Sequence, residues 1–292
     1  MGTMPAAPNI LLIADRSRPE VDEVVANLQP DLERWCGSVR ELPPGNGVIE
    51  PADLDGVELA VVVGGDGTMI QQARRLIEHD VPLVPINCGR LGFLASFDAE
   101  SLREEAGLVF AGDPPRRRHS VLNVDIHRAA GDVLGLPAIN DCVLTAGPPF
   151  RMIQLSLDIG GQGGPSLSGD GLIVSTPTGS TAYNLSAGGP IVSPSMEAIV
   201  VTPLAAHSLG FRPFVMSEES SLDVVIEHAN EGTTVVIDGQ DSIHVEAGDR
   251  LRISGHRRSV QFVTCSREPY WRILIDKMRW AAPPSYRRRR PS

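Results

Sequence analysis

The stretch Val57-Glu-Leu-Ala-Val-Val-Val-Gly-Gly-Asp-Gly-Thr68 decides how the rest of the chain is read. Val57 to Val63 is a short apolar run rich in β-branched residues, far below membrane-spanning length. It reads as a strand buried on both faces, as in a parallel sheet. The run stops at Gly64-Gly65-Asp66-Gly67-Thr68, and helical spacing follows from Met69 to Glu78. In open α/β sheets, ligands bind at such strand–turn–helix junctions, outside the carboxyl ends of the strands. Three glycines let the backbone approach a bulky anion with its N–H groups pointing at it. Asp66 is the informative residue. A carboxylate beside phosphate is repelled, so it either holds a bridging metal or accepts a proton from an attacking hydroxyl.

Around this junction the pattern stays α/β. Asn9–Ala14 reads as a first buried strand, and residues 19–35 carry apolar side chains at helical spacing, with Pro19 at the start and Pro30 inside. Residues 42–53 read as a Pro/Gly-rich loop. Val81–Ile86 is another strand, followed by Asn87-Cys-Gly-Arg-Leu-Gly-Phe-Leu94, a second glycine-bearing turn that belongs beside the first. A helix over roughly 99–111 and the breaker Gly112-Asp-Pro-Pro115 close the unit.

From about residue 118 the period shortens. Ser120–His127, Pro137–Leu144, Met152–Ile159, Ser221–Glu227, Thr233–Asp238, Ile243–Glu246, Arg250–Ser254 and Val260–Thr264 are short strands with turn signals between them, the pattern of a β-sandwich. Tyr270–Trp280 has the spacing of one amphipathic helix, which would return to the first domain.

Composition excludes several classes of function. A formal charge of −10 opposes nucleic acid as the main partner. Arg116–Arg118 and Arg287–Arg290 are local basic runs, the second in a Pro/Ser-flanked tail that reads as disordered. Lys277 is the sole lysine, so no Walker-type Gly-Lys-Ser/Thr exists and phosphate must be met by backbone N–H groups, arginine and metal. The four cysteines, at 36, 88, 142 and 265, form no Cys-x-x-Cys pair, which argues against structural zinc and a disulfide framework. With no signal-like or membrane-length segment, a cytoplasmic protein is expected.

One stretch of the β region departs from sandwich patterning: Ser168-Gly-Asp-Gly, then Leu172–Ser175, then Thr178-Gly-Ser-Thr181 and Ala182–Ala187, stopped by Gly188-Gly-Pro190. A hydroxyl-rich turn before a helix either caps it or offers donors to an anion or a ribose. Asp170, between glycines, suits ribose. Asn140-Asp141 inside a strand-like run is either a satisfied network or a ligand reader. Val236-Ile-Asp-Gly-Gln240 has the signature of a plain hairpin turn.

Together these segments recur in one order. Gly64–Thr68, Ile86–Leu94, Ile139–Asp141, Gly171–Ser193, Thr202–Pro213, Ile237–Gly239 and the Trp271–Trp280 helix resemble the NAD kinase family over roughly residues 9–281. The glycine loop alone is shared with lipid kinases and phosphofructokinases; the Thr176–Pro190 block is specific. The resemblance implies a Rossmann-like α/β domain (1–117 with 265–283), a β-sandwich domain (118–264), and a tail (284–292), with the active site in the cleft between domains. It implies phosphoryl transfer to the adenosine 2′-hydroxyl of NAD, with Asp66 as proton acceptor and Gly67 lining the site. Asn140 and Asp141 would bind the nicotinamide half or a ribose. Asp170, Thr181, Ala182, Tyr183 and Ser186 would hold the adenosine portion, with Tyr183 as a stacking face, and Asn184 and Leu185 are further binding positions of the same stretch. Ser168, Ala205, Gln240 and Arg151 match further binding positions.

The same resemblance implies ATP as donor, Mg²⁺ bound mainly through the donor phosphates, and a homodimer or homotetramer. Asp141 replaces the glutamate of many members. Ser168 stands where some ATP-specific relatives carry arginine, which leaves polyphosphate open as a donor. Two other readings are a lipid or sphingoid-type kinase sharing the glycine loop and a non-catalytic NAD(P)-binding sensor.

Overall fold

The computed structural model describes residues 7–45, 47–89, 92–110, 113–208, 210–265 and 270–278. The Arg287–Arg290 run and the 284–292 tail lie outside them.

The first part alternates strand and helix: β1 (Asn9–Ala14), α1 (Pro19–Trp35), β2 (Ser38–Leu42), β3 (Leu59–Val63), α2 (Asp66–Leu76), β4 (Leu83–Ile86), α3 (Ala99–Val109) and β5 (Arg116–His119). Pro30 sits inside α1 without ending it, on an exposed position. β2, a polar strand that patterning does not single out, is an edge strand paired in parallel with β1.

The sandwich strands are β6 (Leu122–His127), β7 (Val133–Ala138), β8 (Asp141–Thr145), β9 (Ile153–Ile159), β10 (Ser166–Gly169) and β11 (Gly171–Ser175). After a four-residue α4 (Tyr183–Ser186) come β12 (Ala198–Leu204), β13 (Phe214–Ser217), β14 (Leu222–His228), β15 (Thr234–Ile237), β16 (Asp241–His244) and β17 (Arg250–Gly255). They form two sheets, β10-β9-β14-β17-β6-β7 and β13-β12-β11-β8-β15-β16, closed over one apolar core.

β18 (Val260–Val263), expected in the sandwich, is instead a strand of the first sheet, whose order is β2-β1-β3-β4-β18-β5. It runs parallel to β4 at Phe262–Leu83 and antiparallel to β5. Its alternation fits either sheet; the buried Val260, Phe262 and Val263 fill the first sheet's two faces. The Arg116–Arg118 run, read as a surface patch, is the outer strand of the same sheet, with Arg117 half-buried over the Tyr270 ring of α5 (Tyr270–Met278). Lys277 of α5 stands over Phe93, so the terminal helix does return to the first part.

β3 is buried along its whole length, as its apolar run predicts. Val61 and Val63 face α1 and α3; Ala60 and Val62 face α2. The second core also takes Val121 and Ile139 from the chain entering the sandwich. That shared packing joins the sandwich to the first sheet on the side covered by α2.

Candidate active site

Gly65 caps α2 in an extended conformation, and Asp66 is the first residue of the helix. The Asp66 carboxylate crosses to the second glycine turn. One oxygen accepts the Phe93 N–H at 2.9 Å; the other accepts Leu94 N–H at 3.2 Å and Ala95 N–H at 3.4 Å. The two turns are therefore adjacent, as their placement after neighbouring strands requires. Gly92 is demanded by this contact, because a Cβ there would lie 1.8 Å from Asp66 Oδ1. Asp66 stays partly exposed. A carboxylate offers about four lone-pair directions; among the described residues three are used.

Gln240, in the turn between β15 and β16, donates through Nε2 to the Gly67 carbonyl at 3.2 Å. A sandwich turn thus touches the glycine loop. Beside it, Asn140, Asp141, Ala182, Tyr183, Val236, Asp238 and Gly239 line a cavity of about 310 Å³. Tyr183 is 49% exposed and free to present its ring.

The hydroxyl-rich stretch is organised inward rather than outward. Thr176 Oγ1 donates to the Ile139 carbonyl at 2.7 Å and accepts Gly179 N–H at 3.1 Å. Ser180 Oγ donates to the Pro177 carbonyl at 2.6 Å and accepts Val192 N–H at 3.0 Å. Thr178 Oγ1 bonds His119 Nδ1 at 2.8 Å, and Thr181 Oγ1 donates to the Thr178 carbonyl at 3.3 Å. The N-cap residue Thr178 makes no side-chain cap to the 3₁₀ turn Gly179–Thr181; the first N–H of the turn is met by Thr176 instead. These hydroxyls bind the stretch to the Ile139-Asn140 segment and to the first sheet. Gly179 permits this, since a Cβ there would lie 2.1 Å from the Asn140 carbonyl oxygen.

Asn184 is fully buried, its amide nitrogen donating to the Ser180 and Pro190 carbonyls and its oxygen accepting Thr202 Oγ1 at 2.6 Å. Its side chain holds the helical turn; Leu185 and Ser186 follow on α4, Ser186 exposed.

The remaining positions lie elsewhere. Ser168 is in β10, its carbonyl accepting His207 N–H, and Asp170 is exposed where β10 meets β11, its N–H donating to Leu204. Ala205, left-handed at φ 44°, adjoins them. In β11, Gly171 pairs with Thr145 while Ser175 pairs with Asp141. This second cluster therefore stands at the opposite end of β11 from Asp141, roughly 13 Å away at the rise of a strand. Arg151 is exposed, and its guanidinium makes no hydrogen bond among the described residues; its carbonyl accepts Asn230 Nδ2.

Asp238, which patterning left as a hairpin residue, is the least expected feature. It and Gly239 do form the turn, at φ 52° and 67°. Its buried carboxylate also accepts three backbone N–H groups, from Ile139 (2.9 Å), Asn140 (2.7 Å) and Asp141 (3.1 Å). Burial raises both carboxyl pKa values: Asp141 to about 7, with the Asp238 charge as second cause, and Asp238 upward against its N–H donors and Arg74. His119 is driven down to about 3, first by burial and then by Arg117. Asp-Gly is the sequence signal for a turn; nothing in the sequence places its side chain against residues about a hundred positions earlier.

A largely parallel sheet with an acidic glycine loop at its strand ends, touched by a turn of a β-sandwich, defines a two-part protein of mixed α/β and β structure. Residues 45–113 match the ATP-NAD kinase N-terminal domain and residues 139–265 the ATP-NAD kinase C-terminal domain. An NAD kinase of Rhodopirellula baltica is 38% identical over 227 residues, 77% of this chain and 72% of that protein. One of Heliobacterium modesticaldum is 32% identical over 283 residues, 93% and 98% respectively. The chain belongs to the NAD kinase family. The fold matches yeast NADH kinase complexed with NADH (TM-score 0.80, 22% identity, 97% of this chain and 91% of that one). It also matches an NAD kinase from Archaeoglobus fulgidus in complex with ATP (TM-score 0.73, 26% identity, 92% and 98%).

Proposed function

We propose that this protein is an NAD kinase that moves the terminal phosphoryl group of ATP to the adenosine ribose 2′-hydroxyl of NAD. The lipid-kinase and sensor readings are not favoured, because both halves match the same enzyme family. The observation that carries the site reading is the bond between Gln240 and Gly67, which brings the Asn140–Asp141–Tyr183 wall to the Asp66 loop.

Phosphoryl transfer needs positioning and charge neutralisation more than covalent help. Asp66 is pre-oriented by three N–H donors and keeps one lone-pair direction for the attacking hydroxyl, whose proton it takes. Asn140 and Asp141 bind the nicotinamide half or its ribose, and Tyr183 stacks. No group of three or more His, Cys, Asp or Glu suited to a metal occurs among the described residues. In this reading Mg²⁺ is held chiefly by the donor phosphates, where it would neutralise developing charge.

Ser168, Asp170 and Ala205 reach the same dinucleotide if it lies along β11, or if a second copy brings its own cluster alongside. A homodimer or homotetramer is part of this reading, and sedimentation measures it. No described helix is long and apolar enough to cross a membrane; the cytoplasm is the proposed compartment. The deciding experiment gives purified protein NAD and Mg²⁺, with ATP or polyphosphate supplied separately, and scores NADP⁺. Absence of product with either donor would refute the reading.

A further inference from the structure

Arg74 lies eight residues beyond Asp66 on α2, about 12 Å along the helix axis. Its side chain is 13% exposed and leaves the helix toward the sandwich, not toward the glycine loop. There Nε lies 3.7 Å from Asp238 Oδ2, and Nη2 bonds Asp241 Oδ2. Asp238 in turn holds the backbone N–H groups of Ile139, Asn140 and Asp141, and its own N–H donates to the Asp141 carbonyl at 2.9 Å. One continuous set of polar contacts therefore runs from the helix that carries Asp66 to the segment that carries Asn140 and Asp141.

Burial makes this set consequential. The Asp238 side chain is wholly enclosed, and the Arg74 Nε, although buried, has no hydrogen-bond partner among the described residues. A guanidinium that forgoes a hydrogen bond in a buried place is held there by the carboxylates beside it. Removing it would leave a buried charge opposed by N–H dipoles alone, which is costly. The neighbour Arg75 differs: it bonds the Gly47 carbonyl and Gln72, both within the first part of the chain.

We infer that Arg74 is a positioning residue: through Asp238 it fixes Asn140 and Asp141 relative to Asp66, and so sets how the dinucleotide meets the base. The inference rests on the dinucleotide reading of Asn140 and Asp141. It assigns Arg74 no contact with substrate. It also gives the Asp-Gly turn a role in alignment beyond reversing the chain. The Gln240–Gly67 bond, one turn residue further on, closes the same seam nearer the reacting groups.

The test is steady-state kinetics on Arg74→Met, Arg74→Lys and Asp241→Asn, with NAD and ATP varied separately and Arg75→Met as control. Arg74→Met is expected to raise KM for NAD on the order of tenfold and lower kcat, with KM for ATP unchanged, as suits a coupling of this size. Lysine keeps the charge but not the fork, so Arg74→Lys should move the same constants less. Asp241→Asn should move them least, and Arg75→Met not at all. In Arg74→Met/Asp238→Asn the loss should be no greater than in the worse single variant, because both break one link.

The inference is overturned if Arg74→Met keeps KM for NAD and kcat within about twofold of the parent. It is equally overturned if the variant only melts earlier, with unchanged constants per folded molecule. Should Arg74→Met not fold, Arg74→Lys and Asp241→Asn carry the same kinetic criterion. Repeating NAD binding by calorimetry in an Asp66→Asn background separates this inference from the base assignment. Weaker binding there on losing Arg74 supports positioning even if Asp66→Asn still turns over, and unchanged binding overturns it.

Discussion

The two polar segments Gly64–Gly67 and Thr176–Pro190 are built in opposite ways. At Gly64–Gly67 the side chain of Asp66 gathers backbone N–H groups and stays partly open to solvent. At Thr176–Pro190 the side chains of Thr176, Ser180 and Asn184 are buried and spent on carbonyls and N–H groups around them. The first segment keeps its chemistry available; the second uses its chemistry to hold a surface in place. A polar-rich sequence thus yields a partly open carboxylate in one region and a scaffold in the other. The difference lies in whether the side chain has an external lone pair or donor left over.

The largest expected effect comes at the first segment. Asp66→Asn should lower kcat by roughly 10²–10⁴-fold, the usual contribution of general base catalysis. An amide would turn an NH₂ toward the Phe93–Ala95 donors, so the second turn should also loosen. Calorimetry with NAD reads the two effects apart: affinity should fall far less than turnover, and normal turnover would sink the assignment. Gly92→Ala follows. Its Cβ would press on Asp66 Oδ1, and a displacement near 1 Å is enough for about a 10²-fold loss.

In the second segment the same comparison predicts stability effects. Asn184→Ala strands the Thr202 hydroxyl and two carbonyls, and should cost about 1–3 kcal/mol in denaturant unfolding. Tyr183→Ala, at an exposed ring, should leave unfolding within about 0.5 kcal/mol while raising KM for NAD. If Tyr183→Ala destabilised the fold and Asn184→Ala did not, the contrast between the segments would be wrong.

Two further effects are pH-dependent and of opposite sign. Between about 3 and 6.5 the unfolded chain protonates His119 while the native state refuses the proton, so stability falls as pH drops through that window. Between 3.8 and about 7 the native state keeps a proton on Asp141 that the unfolded chain has released. Asp141 therefore costs stability as pH rises through its window. His119→Asn should flatten the acid limb of urea midpoints, and Asp141→Asn should raise the midpoint at pH 8; the reverse signs would contradict the burial that causes both shifts.

Much of this was legible in the residues. The doubly buried β3, the glycine turns at strand ends, the change of period near residue 118 and the amphipathic terminal helix all follow from local pattern. Asp66 stood out because a carboxylate between glycines needs a reason. Patterning failed where two solutions share one pattern. β18 alternates as a sandwich strand would but pairs with β4 and β5, and β2 is too polar at its edge to resemble a strand. Arg116–Arg118 looks like a solvated run, yet its backbone finishes a sheet.

The sequence by itself determined the α/β and β periods and the positions of the turns, because propensity and side-chain alternation act over a few residues. Only the tertiary structure decided how the polar side chains are used. Whether a hydroxyl or carboxylate is spent internally depends on partners far along the chain: Asp238 meets Ile139–Asp141, His119 meets Thr178, and Arg74 meets Asp238. Burial then makes each pairing obligatory, since an unmatched polar group away from water is costly wherever its partner lies in sequence.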